Sequence, residues 1–295
     1  MFLLKIASQL KGWQTIGTRS LTTLALVIYP TVAKALEVTI KPPNPQLGDT
    51  ISVFISTDNP NFTPTLTFQS KTYPVFSTKQ ANRYRALIPT TPLNKPGKLT
   101  LQVQADNTTR NIALFLKNRS FPTQRIRLSP SKSGSATQLE LDRVAKFKQL
   151  VTPQKFWQGA FLKPNKGRVS TVFGVRRYYN GVFASGYYHR GVDYAGNSGS
   201  LIIAPAAGKV MLVGREKQGF KVHGNTVGID HGQGVLSIFL HMRDIYVQEG
   251  DFVQAGQKIG TVGSTGASTG PHLHWGLYVN GISVDPVPWR FQGIE

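Results

Sequence analysis

The sequence predicts an all-β protein: a small β-sandwich-like domain, a linker carrying one helix, and a second domain built on an antiparallel β-sheet. Three observations support this. Short alternating or β-branched segments recur along most of the chain, as half-buried strands do. Gly 29 and Pro 18 in 295 residues favour frequent turns over long helices. Helical spacing of apolar residues is convincing only once, in ATQLELDRVAKFKQLV, residues 136–151.

The elements follow in order. Residues 1–35 contain Lys5, Lys11 and Arg19, no acid, an apolar run from Leu21 to Ala33 and an Ala33-Lys34-Ala35 end. A basic start, a short apolar stretch and small residues at a cleavage point describe a signal peptide or membrane anchor, with cleavage expected after Ala35. The run is short for a comfortable span. Export to the periplasm, envelope or exterior is the expectation, with membrane contact only if the segment is retained.

Residues 36–118 hold TISVFIS, TLTFQ, YRALIP, KLTLQVQA and RNIALFLK, separated by turn-rich stretches such as KPPNPQLGD and LNKPG. Regularly spaced short strands of this kind suggest a β-sandwich. No histidine and few acids occur in it, so a binding or spacer role is expected. Residues 119–160 form the linker. FPTQRIRLSPSKSGSATQ is polar and rich in Pro and Ser, and the helix after it places Leu139, Val144, Phe147 and Val151 near helical spacing, with Pro153 closing it. Residues 161–295 return to strand segments divided by Gly or Asn-Gly, including RVSTVFGV, NTVGIDHG, VLSIFLHM and HLHWGLYVNG.

Charge and composition narrow the function. Lys+Arg 34 against Asp+Glu 14 gives +20, which points to polyanionic surroundings. Residues 36–159 hold 17 basic and 6 acidic residues, against 13 and 8 from 160 onward. No nucleic-acid-binding motif accompanies the charge, and export makes nucleic acid an unexpected partner. Zero cysteines exclude disulfides, thiolate metal sites and cysteine nucleophiles. GSTGASTG lacks the Gly-Lys-Ser/Thr ending of a phosphate loop.

All six histidines, 189, 223, 231, 241, 272 and 274, lie in the last domain. In HRGVD, four residues separate His189 from Asp193, which puts both side chains on one side of a strand or a helix. In HLHW, His272 and His274 share one strand face while Leu273 and Trp275 take the other. Two histidines and a carboxylate form the ligand set of a catalytic zinc site whose fourth position takes water. Spacing leaves open which member of HLH is the ligand. The other member and His241 remain for proton transfer and oxyanion stabilisation. His231, in IDHG, reads as structural, and His223 as a loop residue near the cleft.

These residues resemble the lysostaphin-type, or LytM-type, zinc metallopeptidases that cut peptidoglycan cross-links. The likeness runs from Gly167 to Pro286 through GRVSTVFGVRRYYNG, YYHRGVDYAG, GNTVGIDHGQGVLSIFLHM and VQEGDFVQAGQKIGTVGSTGASTGPHLHWGLYVNG. It implies that His189, Asp193 and His274 bind Zn2+ and that His241 and His272 are the unliganded catalytic histidines. It also implies an antiparallel sheet core, the duplicated hybrid motif. Relatives that act only as activators of other hydrolases have lost metal ligands, and here all five positions are filled. The expected function is a zinc endopeptidase acting on amide bonds in peptidoglycan stems or cross-bridges, held near anionic wall polymers by its basic upstream segment. RRYYNGVFASGYY is the expected wall of the substrate groove, and Tyr187, Tyr188 and Asn225 are the candidate substrate contacts.

Overall fold

The computed structural model describes residues 36–58, 62–105, 108–127, 134–292 and 294. The signal-peptide or anchor segment lies outside them. Residues 34–295 form one compact unit, and among the described residues it is β-rich with a single α-helix.

The first part is a pair of antiparallel four-stranded sheets. One runs Glu37–Lys41, Thr50–Ser56, Arg83–Pro89, Val75–Ser77; the other runs Lys71–Tyr73, Thr65–Phe68, Gly97–Ala105, Thr108–Leu116. Alternation explains their shared core, since Ile51, Val53 and Ile55 meet Leu66, Leu101 and Val103 between the sheets. TISVFIS and RYRALIP are buried on both faces. Their second face packs on the second part of the chain: Trp289 Nε1 donates to Thr50 Oγ1 at 3.2 Å, and Leu87 joins the core of Trp157 and Trp289. Arg119 pairs with Asp285 at 2.8 Å across the same junction. Apolar burial of this extent makes the sandwich part of one packed body, with each buried Trp or Phe contributing about 2–3 kcal/mol.

The polar linker contains one strand that the sequence does not announce. Thr123–Ile126 pairs in parallel with Arg176–Tyr179, which turns back onto Val182–Phe183. TQRI has little strand character of its own, and the edge of the neighbouring hairpin supplies its hydrogen-bond partners.

The helix spans Gln138–Lys148, capped by Thr137, whose hydroxyl accepts the Glu140 N–H at 3.1 Å. Its buried face is Glu140, Val144 and Phe147, not the expected stripe ending at Leu139 and Val151, which are 52% and 40% exposed. Phe147 explains the orientation. Its ring covers Gly228, where an added Cβ would lie 2.8 Å from the ring, so the sheet presents a shallow seat that only this face of the helix fills.

The sheet that carries the histidines orders Arg168–Thr171, Val192–Ala195, His272–Val279, Val235–Ile245, Asn225–Gly232, Gly208–Gly214 and Phe252–Val253. Register sets Asp193 opposite His274, and His274 opposite Leu240. Opposed residues in an antiparallel pair share a face, so Asp193, His274 and Leu240 form one line across three strands.

Candidate active site

His274 reaches this line from the strand His272–Val279, anchored from below by Leu273 and Trp275, both fully buried. His189 arrives from the segment before Val192–Ala195. Its N–H donates to Val175 O at 2.8 Å, and its Nδ1–H donates to Val172 O at 2.8 Å. That second bond fixes the tautomer and leaves Nε2 as a lone pair. His189 Nε2 lies 3.0 Å from Asp193 Oδ1 and 3.0 Å from His274 Nδ1, and His274 Nδ1 lies 2.8 Å from Asp193 Oδ1. Gly191 makes the approach possible, since a Cβ there would stand 2.7 Å from His274 Nε2 and 2.4 Å from Trp275 O.

This group of His189, Asp193 and His274 could hold a metal ion. Two imidazole nitrogens and one carboxylate oxygen, converging at about 3 Å in a buried place, fit a tetrahedral cation that takes a fourth ligand from the cleft. Electrostatics agree with that chemistry. Burial alone would raise Asp193, but hydrogen bonds and charge from His189 and His274 hold it well below the usual carboxylate range. Burial pushes His274 down to about 4, against the pull of Asp193, so the imidazole is neutral at neutral pH.

His241 and His272 stand beside the triad with ring centroids 4.8 Å apart, and His241 is 6.4 Å from His274. His241 Nδ1–H donates to Thr265 O at 2.8 Å, and His272 Nδ1–H donates to Gly270 O at 2.8 Å. Each is thereby oriented with Nε2 available; that of His272 lies 3.9 Å from Asp193 Oδ1. Burial first, then the neighbouring His272 and His274, keeps His241 well below its usual pKa. His241 owes its direction to a bulge. Asn225 pairs with Met242 and Val227 with Phe239, so three steps oppose two, and His241 takes a left-handed φ of 60°.

A cleft of about 770 Å³ opens over these groups. One wall holds Arg177, Tyr179 and Tyr187 with the linker residues Gln124 and Ile126, another holds Val222, His223 and the helix residues Leu141 and Val144, and the loop from Ser268 to Pro271 forms the rim. Of the candidate substrate contacts, Tyr187 faces the cleft. Tyr188 does not: it is 5% exposed, bonds Ser283 Oγ at 2.7 Å and packs edge-on against Phe173. Asn225 is also turned elsewhere. It accepts from Glu216 N, donates to Arg243 O and binds Thr265 Oγ1 through its N–H at 2.9 Å, bracing the loop that holds His241.

His231 is fully buried, bonded to Ala207 O and Ser237 Oγ. His223 lines the cleft, its ring tied to Glu140. Two contacts at the site were not anticipated. Arg177 Nη2 lies 3.5 Å from Asp193 Oδ2, and Glu140 sits wholly buried against the backbone of Lys221, Val222 and His223. A lone acid on the apolar face of a helix was the one signal in the sequence for the second.

An all-β sheet that gathers a His-Asp-His donor set and two oriented imidazoles in a cleft defines a metallopeptidase-type site. Residues 187–286 match the description of peptidase family M23. It is 41% identical over 120 residues to the DD-carboxypeptidase/endopeptidase Mpg of Neisseria meningitidis, covering 41% of this chain and 26% of that protein. It is 37% identical over 141 residues to the murein hydrolase activator NlpD of Escherichia coli, covering 48% and 33%. The chain thus spans only a quarter to a third of the length of these relatives. A crystal structure from Pseudomonas aeruginosa assigned to peptidase M23 superposes with a TM-score of 0.61 at 27% identity, over 85% of this chain and 97% of that one.

Proposed function

We propose that this chain is an exported zinc endopeptidase that hydrolyses amide bonds in the peptide stems or cross-bridges of peptidoglycan. The observation that carries the reading is the convergence of His189 Nε2, Asp193 Oδ1 and His274 Nδ1 within hydrogen-bond distance of one another, beside two imidazoles with oriented Nε2 atoms.

In this reading His189, Asp193 and His274 hold Zn2+, which when bound lowers the pKa of water and polarises the scissile carbonyl. The remaining steps belong to the side chains. His272 Nε2 accepts a proton from the attacking water and returns one to the departing amine, and protonated His241 or His272 donates a hydrogen bond to the carbonyl oxygen as it gains charge. A neutral resting state suits a base, and the burial that depresses His241 gives it that state, so His241 Nε2 shares the proton-acceptor role with His272. Residues 36–159, with most of the excess positive charge, would keep the chain near anionic wall polymers.

A non-catalytic activator of another hydrolase is the alternative, favoured by the likeness to NlpD. The complete donor set supports the enzyme instead. The test is release of new amino groups from purified sacculi. Wild type with zinc should release them and Asp193→Ala should not. Equal, background release by both, with activation of a second hydrolase, would establish the activator.

A further inference from the structure

The cleft has a charge pattern that hydrolysis of an amide bond does not require. Among the described residues, three cations, Arg177, Arg190 and Lys148, line it, and Asp193 is the only acid that does. Arg177 is engaged by Asp193 and Tyr179. Arg190 and Lys148 pair with no carboxylate among the described residues. Arg190 lies over the Tyr187 ring at 5.6 Å, and the Lys148 ammonium lies 5.6 Å from the Tyr278 centroid.

The strand His272–Val279 places this pair relative to the metal ligands. His274, Gly276 and Tyr278 share one face, and Gly276, where an added Cβ would stand 3.1 Å from Arg190 O, lets the Arg190 backbone pack between the other two. Four residues of strand separate His274 from Tyr278, about 13 Å. Arg190, exposed, and Lys148, half-buried, line the same cleft as like charges, and the Lys148 pKa is lowered by burial and then by repulsion from Arg190. An anion lying between them removes that cost. The planar fork of Arg beside the point charge of Lys matches a carboxylate.

We infer that Arg190 and Lys148 form a carboxylate subsite at the end of the cleft, selecting peptides that carry a carboxylate three to four residues from the scissile bond. The spacing follows from about 13 Å at about 3.4 Å per extended residue. The inference rests on the peptidase reading of the site and names its substrate class: acidic peptides, as opposed to uncharged bridges.

The test uses the full chain and calorimetric binding of one synthetic stem peptide with free carboxylates, its C-terminally amidated form and its side-chain-amidated form. Wild type should bind the free form about ten-fold more tightly than one of the amidated forms, and which one identifies the carboxylate. In the double variant Arg190→Gln, Lys148→Gln that ratio should fall to about one, whereas Arg190→Lys, Lys148→Arg should keep most of it. Equal affinity of wild type for all three forms overturns the inference, as does an undiminished ratio in the Gln variant. If inorganic phosphate binds wild type but not the Gln variant while the three peptides bind alike, the site serves a phosphate polymer and the peptide assignment is wrong. These affinities do not depend on turnover, so an inactive chain on sacculi would sink the peptidase reading without deciding this one.

Discussion

Glu140, on the helix that precedes the histidine-bearing sheet, accepts the Nδ1–H of His223 at 2.6 Å while fully removed from solvent. The same carboxylate accepts the N–H groups of Lys221, Val222 and His223. His223 O in turn accepts the His241 N–H at 3.0 Å. The helix therefore anchors the segment that supports one of the two unliganded histidines.

Replacing Glu140 by Ala leaves buried donors without an acceptor, an effect of several hydrogen bonds to a charged group. A loss of about 3–4 kcal/mol in urea unfolding is expected. The pH dependence has a definite sign. Burial would raise Glu140, but the bonds from His223 and the backbone outweigh it and the folded value lies below 4.5. The contribution is complete above 4.5 and is lost as pH falls through the folded value, because the unfolded chain takes up the proton first. Glu140→Gln should flatten the stability profile in that window. A profile unchanged by the substitution would show that Glu140 does not titrate in this way.

His272 and His274 should separate by what they lose. His274→Ala should lose bound zinc and activity together. His272→Ala should retain zinc by elemental analysis while kcat falls by about two to four orders of magnitude, the usual weight of a general acid–base group. The reverse pattern would exchange their roles.

Gly191→Ala tests the close approach of the ligands. The methyl group would meet His274 Nε2 and the Trp275 carbonyl at distances that real contacts do not show. Displacing the ring should weaken zinc binding about 10- to 100-fold, as loss of a ligand-orienting contact does. Competition with a chelator measures it, and unaltered affinity would mean that the ring relaxes freely.

His231 predicts an acid-sensitive fold. Burial drives it from 6.5 down to about 4. Between those values the unfolded chain is protonated and the folded chain is not, so stability falls with falling pH, by on the order of 3 kcal/mol at the low end. His231→Gln should lose less on going from pH 7 to pH 4.5. Parallel losses in both proteins would place the sensitivity elsewhere.

Much of this architecture was legible in the chain. TISVFIS, VLSIFLHM and HLHWGLYVNG carry their strands in their own composition, and the i, i+2 histidines on a strand with buried Leu273 and Trp275 can only face one way. The linker strand Thr123–Ile126 was not legible, because its partner is an edge some fifty residues away. The helix was visible, but its rotation was not: Leu139 looks apolar enough to be buried, yet the seat above Gly228 takes Phe147 and turns Glu140 inward.

The sequence by itself determined which donors exist, their order, and that His272 and His274 share a face, since these follow from residue identity and the period of a strand. Tertiary structure decided the rest of the site. A regular pleat that directs Leu240 into the cleft would direct His241 away from it, and only the bulge against Asn225–Gly232 brings the ring round. That bulge is a mismatch in length between two strands. It depends on pairing between distant segments, and no local pattern of residues records it.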